Sequence, residues 1–302
     1  MMVAFFVSSS FNLTMQAGPF YLANIADAMI SWGSVAILSL TVSCALLSLV
    51  VVWRRWAFLG EGIAHAGFGG AGTAWLLACV FPMFDGPGYI MLAITLFCFA
   101  TAIVIGIVHR DETVHSETAI GIFLVASLAW GFVGQQAYFA KYSRSPAGFQ
   151  ALLFGHTQLL GSGQAQLCLA LALVCVVVLA AFRKEILAWC LEPTLAQVSG
   201  VRAGFIHYLM ILLIAATVVL GVQLVGSVLM TALLILPGAT AMLLTRRLLP
   251  AAVWTLAIGL AGAVIGLAAH SAYPLIWQGP AVVLSLVIIF LIVFVVRRVM
   301  GP

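Results

Sequence analysis

The stretch that decides the fold begins at Arg54 and reads Arg-Arg-Trp-Ala-Phe-Leu-Gly-Glu-Gly-Ile-Ala-His-Ala-Gly-Phe-Gly-Gly-Ala-Gly, followed by an apolar run. The two arginines at the start of this stretch, followed by mainly apolar and small residues, indicate the beginning of a membrane helix that contains Glu61 and His65. Residues four apart lie on one face of a helix, so the two side chains point the same way. A carboxylate and an imidazole in lipid are costly unless they face a partner or a polar cavity. The pair is therefore a candidate functional site, and the alternative is a Glu–His hydrogen bond that only joins two helices.

Small residues surround this pair on the predicted helix. Gly69 and Thr73 continue the same face, and glycines or alanines occupy the positions beside it. Small side chains allow helices in a membrane to approach one another closely. The residues expected to serve this packing are Gly62, Ala66, Gly69 and Gly70.

The composition places the chain among integral membrane proteins. Of its 302 residues, 65% are hydrophobic and 7% are charged, and the mean hydropathy is +1.24. A soluble domain carries about 25% charged residues. Membrane topology explains the net charge of +4, which needs no nucleic-acid partner. The cysteines lie almost all in apolar runs without CxxC spacing, which indicates small apolar side chains rather than a disulfide framework.

Nine apolar segments are long enough to cross a bilayer, which takes about 20 residues each. They are predicted at 31–53, 57–81, 89–108, 118–136, 164–182, 205–221, 223–244, 251–269 and 281–296. A tight turn at Gly221–Gln223 is expected to separate the sixth and seventh segments. The sequence thus predicts an all-α polytopic membrane protein with 8–9 spans, in which residues 1–302 form one domain. Residues 1–30 are an N-terminal lead-in, with a short amphipathic stretch from Phe20 to Met29.

The positive charges predict which side of the membrane each loop faces. Ten cations fall on one side of the nine-span arrangement, and only Lys141 and Arg144 fall on the other. Cytoplasmic loops carry an excess of Lys and Arg, so the bias predicts a cytoplasmic C-terminus and an outward N-terminus. The ten are Arg54, Arg55, Arg110, Arg183, Lys184, Arg202, Arg246, Arg247, Arg297 and Arg298.

The segment between the fifth and sixth spans is expected to hold a short cytoplasmic helix at 190–201. Glu192 and Pro193 are typical of a helix start, and Gly200 is typical of a helix stop. Leu195 belongs to an apolar stripe at helical spacing. Interfacial helices are usually rich in Lys and Arg on their polar face, and this one has neither. The pattern therefore favours docking to a soluble partner over lying on lipid.

Sequence motifs for ATP binding are absent from this chain. Neither of its two lysines, Lys141 and Lys184, follows a glycine, so no Gly-Lys-Ser/Thr phosphate-binding loop exists. The His-Glu-x-x-His, Gly-x-Ser-x-Gly and glycine-rich dinucleotide motifs are absent as well. If ATP drives transport, the ATPase is another polypeptide.

Several motifs, in order over roughly residues 30 to 298, resemble the permease subunits of bacterial ABC importers for zinc, manganese and iron(II). Arg54-Arg55, Gly60-Glu61 and His65-Ala66 are similar to the family's Arg-Arg … Gly-Asp-x-x-x-His-Ala motif. The other similar segments are 116–122 (Ser-Glu-Thr-Ala-Ile-Gly-Ile), 152–155 (Leu-Leu-Phe-Gly), 191–201 (the coupling helix), 225–229, 232–241 and 279–283. Glu61 replaces the family's usual aspartate, and His156 stands where asparagine or aspartate is frequent. Both departures bear on which metal is carried.

The resemblance implies a type II-like ABC importer permease fold and an assembly around two copies of this chain. Two cytoplasmic ATP-binding subunits would dock at the 190–201 helix, and an extracytoplasmic metal-binding protein would deliver the ion. The chain itself would be a transport subunit rather than an enzyme, surrounded by lipid in the bacterial inner membrane. The residues implied for ATPase coupling are Glu192, Leu195, Ala196 and Gly200.

The candidate metal ligands are Glu61 and His65, with Glu117 as a third candidate because it begins a span and matches a family segment. Imidazole plus carboxylate suits Zn²⁺, Mn²⁺ and Fe²⁺, and a site without thiolate argues against copper(I). The transported ion is expected to be zinc, with manganese or iron(II) next, and no cofactor is bound permanently. His207 is expected at the membrane interface. His270 and His156 lie near the outward face, where they could receive metal, although a lone surface histidine needs no special role.

Two other classes of function stay open at the level of the sequence. A secondary transporter driven by an ion gradient would use Glu61 as its proton-coupling carboxylate. An intramembrane metalloenzyme would use Glu61 and His65 as catalytic ligands, but it lacks a clear third ligand. A neighbouring gene with a phosphate-binding loop, together with one for a secreted metal-binding protein, would favour the importer over both.

Overall fold

A computed structural model describes residues 31–110, 116–143, 155, 160–191, 200–245, 247–273 and 276–300. Within these residues every regular element is a helix, and a short 3₁₀ turn, Pro82–Phe84, follows the second of them. The α-helices there are α1 (Trp32–Trp53), α2 (Ala57–Val80), α3 (Pro87–Arg110), α4 (Ser116–Tyr142), α5 (Ser162–Ala181), α6 (Arg183–Leu191), α7 (Ala203–Leu224), α8 (Ser227–Leu244), α9 (Leu248–Ala272) and α10 (Gln278–Met300).

All of these helices except α6 are long and apolar enough to cross a membrane, which makes 9 candidate spans in the described residues. The predicted all-α polytopic architecture is therefore confirmed. The largest shift in a boundary is at α4, which continues to Tyr142 instead of ending near 136. Two glutamines interrupt the apolar run there, but tertiary contacts hold the added turns. The Tyr142 hydroxyl, for example, donates a hydrogen bond to Ala78 O at 3.0 Å.

The boundary between α7 and α8 differs from the predicted turn at Gly221–Gln223. α7 continues through these residues, and the chain breaks at Val225 and Gly226 instead. Gly226 has a φ of 95°, a left-handed value that glycine adopts without steric cost. A Cβ at Gly221 would lie 2.0 Å from the Met230 sulfur, so this glycine gives room to a packed side chain. The prediction was wrong because one glycine serves packing and another makes the turn.

The helices α1, α2 and α7 form the buried centre of the described structure, and the others pack around them. α2 packs against α3, α4, α7 and α8, whereas α1 packs against α5, α8 and α9. α5 leaves apolar side chains such as Leu167, Leu169 and Leu173 largely exposed. Hydrocarbon is as apolar as leucine, so this surface suits contact with lipid.

Pro237 lies inside α8, where its missing N–H interrupts the helical hydrogen bonding. Ser48 of α1 bonds to the backbone on both sides of this proline. Its hydroxyl accepts a hydrogen bond from Gly238 N at 2.8 Å and donates one to Ile235 O at 3.4 Å. A Cβ at Gly238 would lie 2.5 Å from the same hydroxyl. The proline segment is thus held by a close contact between α1 and α8.

Glycines bring α2 into backbone contact with its neighbours. A Cβ at Gly70 would lie 2.6 Å from Ile94 Cα of α3, and one at Gly72 would lie 2.7 Å from Gly131 Cα of α4. From the other side, a Cβ at Gly134 would lie 2.3 Å from Gly72 O. These distances are shorter than real Cβ contacts, so any side chain at these positions would push the helix backbones apart.

Within α2, the residues that the sequence suggested for close packing are Gly62, Ala66, Gly69 and Gly70, and all are buried. A Cβ at Gly62 would meet the Ile120 side chain, and one at Gly69 would meet the Phe97 ring. Of these four residues, Gly70 is the one at which a Cβ would meet the backbone of a neighbouring helix, α3. The crossing of α2 and α4 at Gly72 was not foreseen.

The charged residues at the two ends of α2 belong to different groups. α2 begins just after Arg54 and Arg55, which are members of the larger cationic group. Near its other end, the Lys141 ammonium contacts Cys79 O. Lys141 and the two arginines therefore lie at opposite ends of this helix, which is the arrangement that the charge bias predicts.

Candidate metal site

Glu61 and His65 lie one turn apart near the start of α2. The Glu61 Oε1 and His65 Nε2 atoms are 3.9 Å apart, and the side chains are 34% and 19% exposed. The other ring nitrogen of His65, Nδ1, is buried and has no hydrogen-bond partner among the described residues. The Phe68 ring packs beside the imidazole, with centroids 5.8 Å apart. The pair is thus partly accessible, while the imidazole is supported from one side by an aromatic ring.

The two donor atoms are not directly bonded to each other, and a shared cation would need them somewhat closer. At 3.9 Å the carboxylate and the imidazole are too far apart for a hydrogen bond. Both belong to α2, so their contact joins no two helices. Metal bonds of about 2.1 Å in octahedral or tetrahedral geometry would place the two donor atoms about 3.0 to 3.4 Å apart. Small side-chain rotations would close that difference.

The pair faces the side of α2 that the described helices leave accessible. Phe58, one turn before Glu61, is 50% exposed on this face. Further along α2, Thr73 is half-buried and accepts a hydrogen bond from Trp130 Nε1 at 3.0 Å. The remaining faces of α2 are buried against neighbouring helices. With respect to the described residues, this is the side from which a second molecule or a translocation path could reach the pair.

Glu117 lies in the first turn of α4 and is exposed. Ile120, one turn later, packs at Gly62, which is the residue next to Glu61. α4 thus brings Glu117 to the same end of α2 as Glu61. Among the residues that the structure describes, however, no three His, Cys, Asp or Glu side chains group closely enough to hold a metal ion. Glu61 and His65 come together, and Glu117 does not join them in a three-ligand group.

The other histidines take different positions. His207, which the sequence analysis expects at the membrane interface, lies in the first turns of α7 and is packed inside the protein, with 8% of its surface exposed. It is buried because the Trp56 ring packs edge to face on the imidazole, with centroids 5.3 Å apart. His270 is also buried, and its Nδ1 lies 2.6 Å from Ile276 O, so that nitrogen is engaged by backbone. His156 lies outside the described residues.

The predicted ATPase-coupling residues Glu192, Leu195 and Ala196 also lie outside the described residues. The helix α6, which ends at Leu191, comes directly before them. After them, Gly200 has a φ of 81°, again a left-handed value that suits glycine. The structure therefore has a distinct helix, α6, directly before the predicted coupling residues, and the sequence analysis did not predict that helix.

Sequence reasoning also missed a cluster where α6 meets the start of α2. The Arg54 guanidinium lies over the Trp189 ring, with Cζ 4.4 Å from the centroid. Trp56 and His207 pack edge to face against the same tryptophan, at centroid distances of 5.4 and 6.0 Å. No spacing along the chain links these residues. The signal in the sequence is limited to Arg54, Trp56 and His207, which lie near the ends of apolar spans.

The nine candidate spans among the described residues indicate a multi-pass membrane protein, and the partly accessible carboxylate–imidazole pair inside them is a candidate functional site. The model of the ABC 3 transport family matches residues 26–297, so the chain belongs to that family. This confirms the resemblance that the motifs indicated.

Relatives and a solved structure agree with this assignment. The manganese transport system membrane protein MntC of Listeria monocytogenes is 30% identical over 244 residues, which cover 81% of this chain and 82% of that protein. The chelated iron transport system membrane protein YfeD of Yersinia pestis is 29% identical over 205 residues, covering 68% and 64%. In PsaBC from Streptococcus pneumoniae in complex with Fab, one chain superposes with a TM-score of 0.73 at 23% identity, covering 90% of this chain and 95% of that one. The likeness confirms the predicted all-α permease fold.

Proposed function

We propose that this chain is the membrane subunit of an ABC importer that carries a divalent transition-metal ion into the bacterial cytoplasm. The observation that carries the proposal is the Glu61–His65 pair, 3.9 Å apart on the accessible side of α2. A carboxylate offsets the charge of the ion, and an imidazole supplies the nitrogen ligand that such ions favour. Membership of the ABC 3 transport family supports an ATP-driven importer and gives no support to a transporter driven by an ion gradient.

Manganese is the cargo that we propose first, with iron(II) next. Relatives from Listeria and Yersinia are named for manganese and for chelated iron. The sequence alone favoured zinc, and neither of these names supports that preference. One carboxylate and one imidazole suit all three ions, so their chemistry does not separate them. Competition between the ions in an uptake assay separates them directly.

The site is expected to be completed by a second copy of the chain. One copy supplies two donor atoms, and no described side chain adds a third. A transport site must release its ion, so a small number of protein ligands is an advantage. The exposed Phe58 side chain offers apolar surface beside the pair, which a partner helix could cover.

Energy for transport is proposed to come from a separate ATPase that docks at 190–201, so Leu195→Asp should disrupt that contact. An unpaired charge buried at an interface costs about 3 kcal/mol, which lowers affinity about a hundredfold. The measurement is co-purification of the ATPase, together with metal uptake in the same membranes. The matched control is Met83→Asp, a change at a residue that is 71% exposed in the 3₁₀ turn after α2, outside the candidate spans. Full uptake by the Leu195 variant with no associated ATPase would refute ATP-driven import.

The proposed orientation has a cytoplasmic C-terminus. A cysteine at Tyr273, which is 62% exposed, should react with an impermeant maleimide outside intact cells, whereas one at Val299 should react only after lysis. The native cysteines of the described residues are buried or half-buried. Cys190 lies outside the spans. Burial raises the pKa of its thiol to about 12, although the nearby Arg54 lowers that pKa. The thiol is therefore a poor nucleophile. The unmodified chain gives the background, and external labelling at Val299 would invert the orientation.

A further inference from the structure

The cluster of Arg54, Trp56, Trp189 and His207, here called the Trp189 clamp, joins three parts of the molecule. Arg54 and Trp56 lie in the turn between α1 and α2, Trp189 lies on α6, and His207 lies on α7. The Arg54 Cζ atom is 4.4 Å from the Trp189 centroid and 6.0 Å from that of Trp56. The two tryptophan rings meet edge to face at 5.4 Å. A cation above a buried ring is an oriented contact, because the face of the ring carries the negative potential.

The rings of the clamp are closed off from solvent, whereas Arg54 is half-buried. Trp56 and Trp189 are 3% and 2% exposed. His207 Nε2 lies 3.3 Å from Gly106 O, which links the clamp to α3 as well. Close-packed groups of this kind transmit a displacement instead of absorbing it.

The turn that carries Arg54 and Trp56 is itself a rigid corner. Arg55 has a φ of 57°, a left-handed value that is uncommon for residues other than glycine. Trp56 N donates to Val51 O at 2.8 Å, and Arg55 N donates to Val52 O at 3.2 Å. The corner leads directly into α2, so a shift of Trp56 moves the first turns of that helix.

We propose that the Trp189 clamp couples the ATPase-docking segment to the metal site, with Trp189 and Arg54 as its positioning residues. This inference rests on the proposed function. Trp189 is two residues before the end of α6, where the segment proposed to dock the ATPase begins. On the other side, Glu61 follows Trp56 by five residues, which is about 7.5 Å along the helix axis. Movement at the docking segment therefore reaches the ligand pair through one aromatic contact.

The opposing possibility is that the cluster only stabilises the fold, and matched variants of Trp189 distinguish the two. Trp189→Leu keeps an apolar side chain and removes the ring, whereas Trp189→Phe keeps a ring for the Arg54 guanidinium. Arg54→Gln removes the charge without opening a large cavity, and Arg54→Lys restores it. Trp254→Leu and Arg202→Gln serve as controls, because Trp254 is 48% exposed and Arg202 is exposed as well.

The test uses the complete complex of permease and ATPase in proteoliposomes, with manganese as the probe. The ratio of metal taken up to ATP hydrolysed is measured for each variant, along with assembly of the complex and basal ATP hydrolysis. For Trp189→Leu and Arg54→Gln, the ratio should fall about tenfold while assembly and basal hydrolysis persist. A tenfold fall is the size expected from the loss of one desolvated cation–π contact. Trp189→Phe and Arg54→Lys should recover most of it.

A normal ratio in Arg54→Gln would overturn the proposal even if Trp189→Leu failed to assemble. An equal fall in Trp189→Leu and Trp189→Phe would overturn it too, because packing volume rather than the ring would then matter. If the unmodified complex shows no ATP-dependent uptake, the proposed function fails. If it transports normally and so do all the clamp variants, only the coupling role fails.

Discussion

Replacing Glu61 with glutamine, or His65 with alanine, should reduce metal uptake at least a hundredfold while the protein still inserts and folds. Glutamine keeps the shape of the side chain but removes the charge that offsets desolvation of the ion. An uncompensated charge at a partly buried site costs about 3 kcal/mol or more, and each 1.4 kcal/mol is about a factor of ten in binding. The measurement is uptake of radiolabelled manganese into vesicles that contain equal amounts of each variant.

Two further variants sharpen this test. Glu185→Gln changes a carboxylate on α6, outside the spans, and should leave uptake unchanged. Glu117→Gln separates a site with two ligands per chain from one with three, because loss of uptake in it would add Glu117 to the ligand set. Unlabelled zinc and iron(II) are added as competitors to rank the cargo. Normal uptake in either the Glu61 or the His65 variant, at equal expression, would remove the pair from the transport path.

The second large effect is expected at the crossing of α2 and α4, where Gly134→Ala should destabilise the protein severely. The new Cβ would lie 2.3 Å from Gly72 O, a backbone atom that has no rotamer with which to move away. Overpacking costs about 1 to 3 kcal/mol, and this contact belongs at the upper end because two helix backbones must separate. The loss of stability is measured in detergent as the temperature at which half of the protein has unfolded. Size-exclusion chromatography after heating gives the folded fraction at each temperature.

The matched control for that substitution lies on the same helix. Gly121→Ala adds the same methyl group to α4, where nothing lies within 4 Å of the new Cβ. It should be neutral or slightly stabilising, since alanine is a better helix former than glycine. If both variants unfold at the temperature of the unmodified chain, the close approach of α2 and α4 is incorrect.

Half of the candidate site could be predicted from the sequence. Glu61 and His65 are four residues apart in one helix, and helical geometry alone places them on one face. Whether they are accessible depends on which neighbours cover α2, and those neighbours are distant in sequence. Glu117 shows the limit, since its place in a matching motif did not bring it into a three-ligand group with the pair.

The sequence by itself determined the class of the fold and its spans, because bilayer thickness requires about 20 apolar residues for each crossing helix. It also separated Lys141 from Arg54 and Arg55, because charge bias follows the order of the loops. Only the tertiary structure decided that Gly226 makes the turn after α7 and that Gly221 makes room for the Met230 side chain. It alone buried His207 and set the Arg54 guanidinium over Trp189. These features depend on contacts between residues far apart in the chain, and local periodicity carries no information about such contacts.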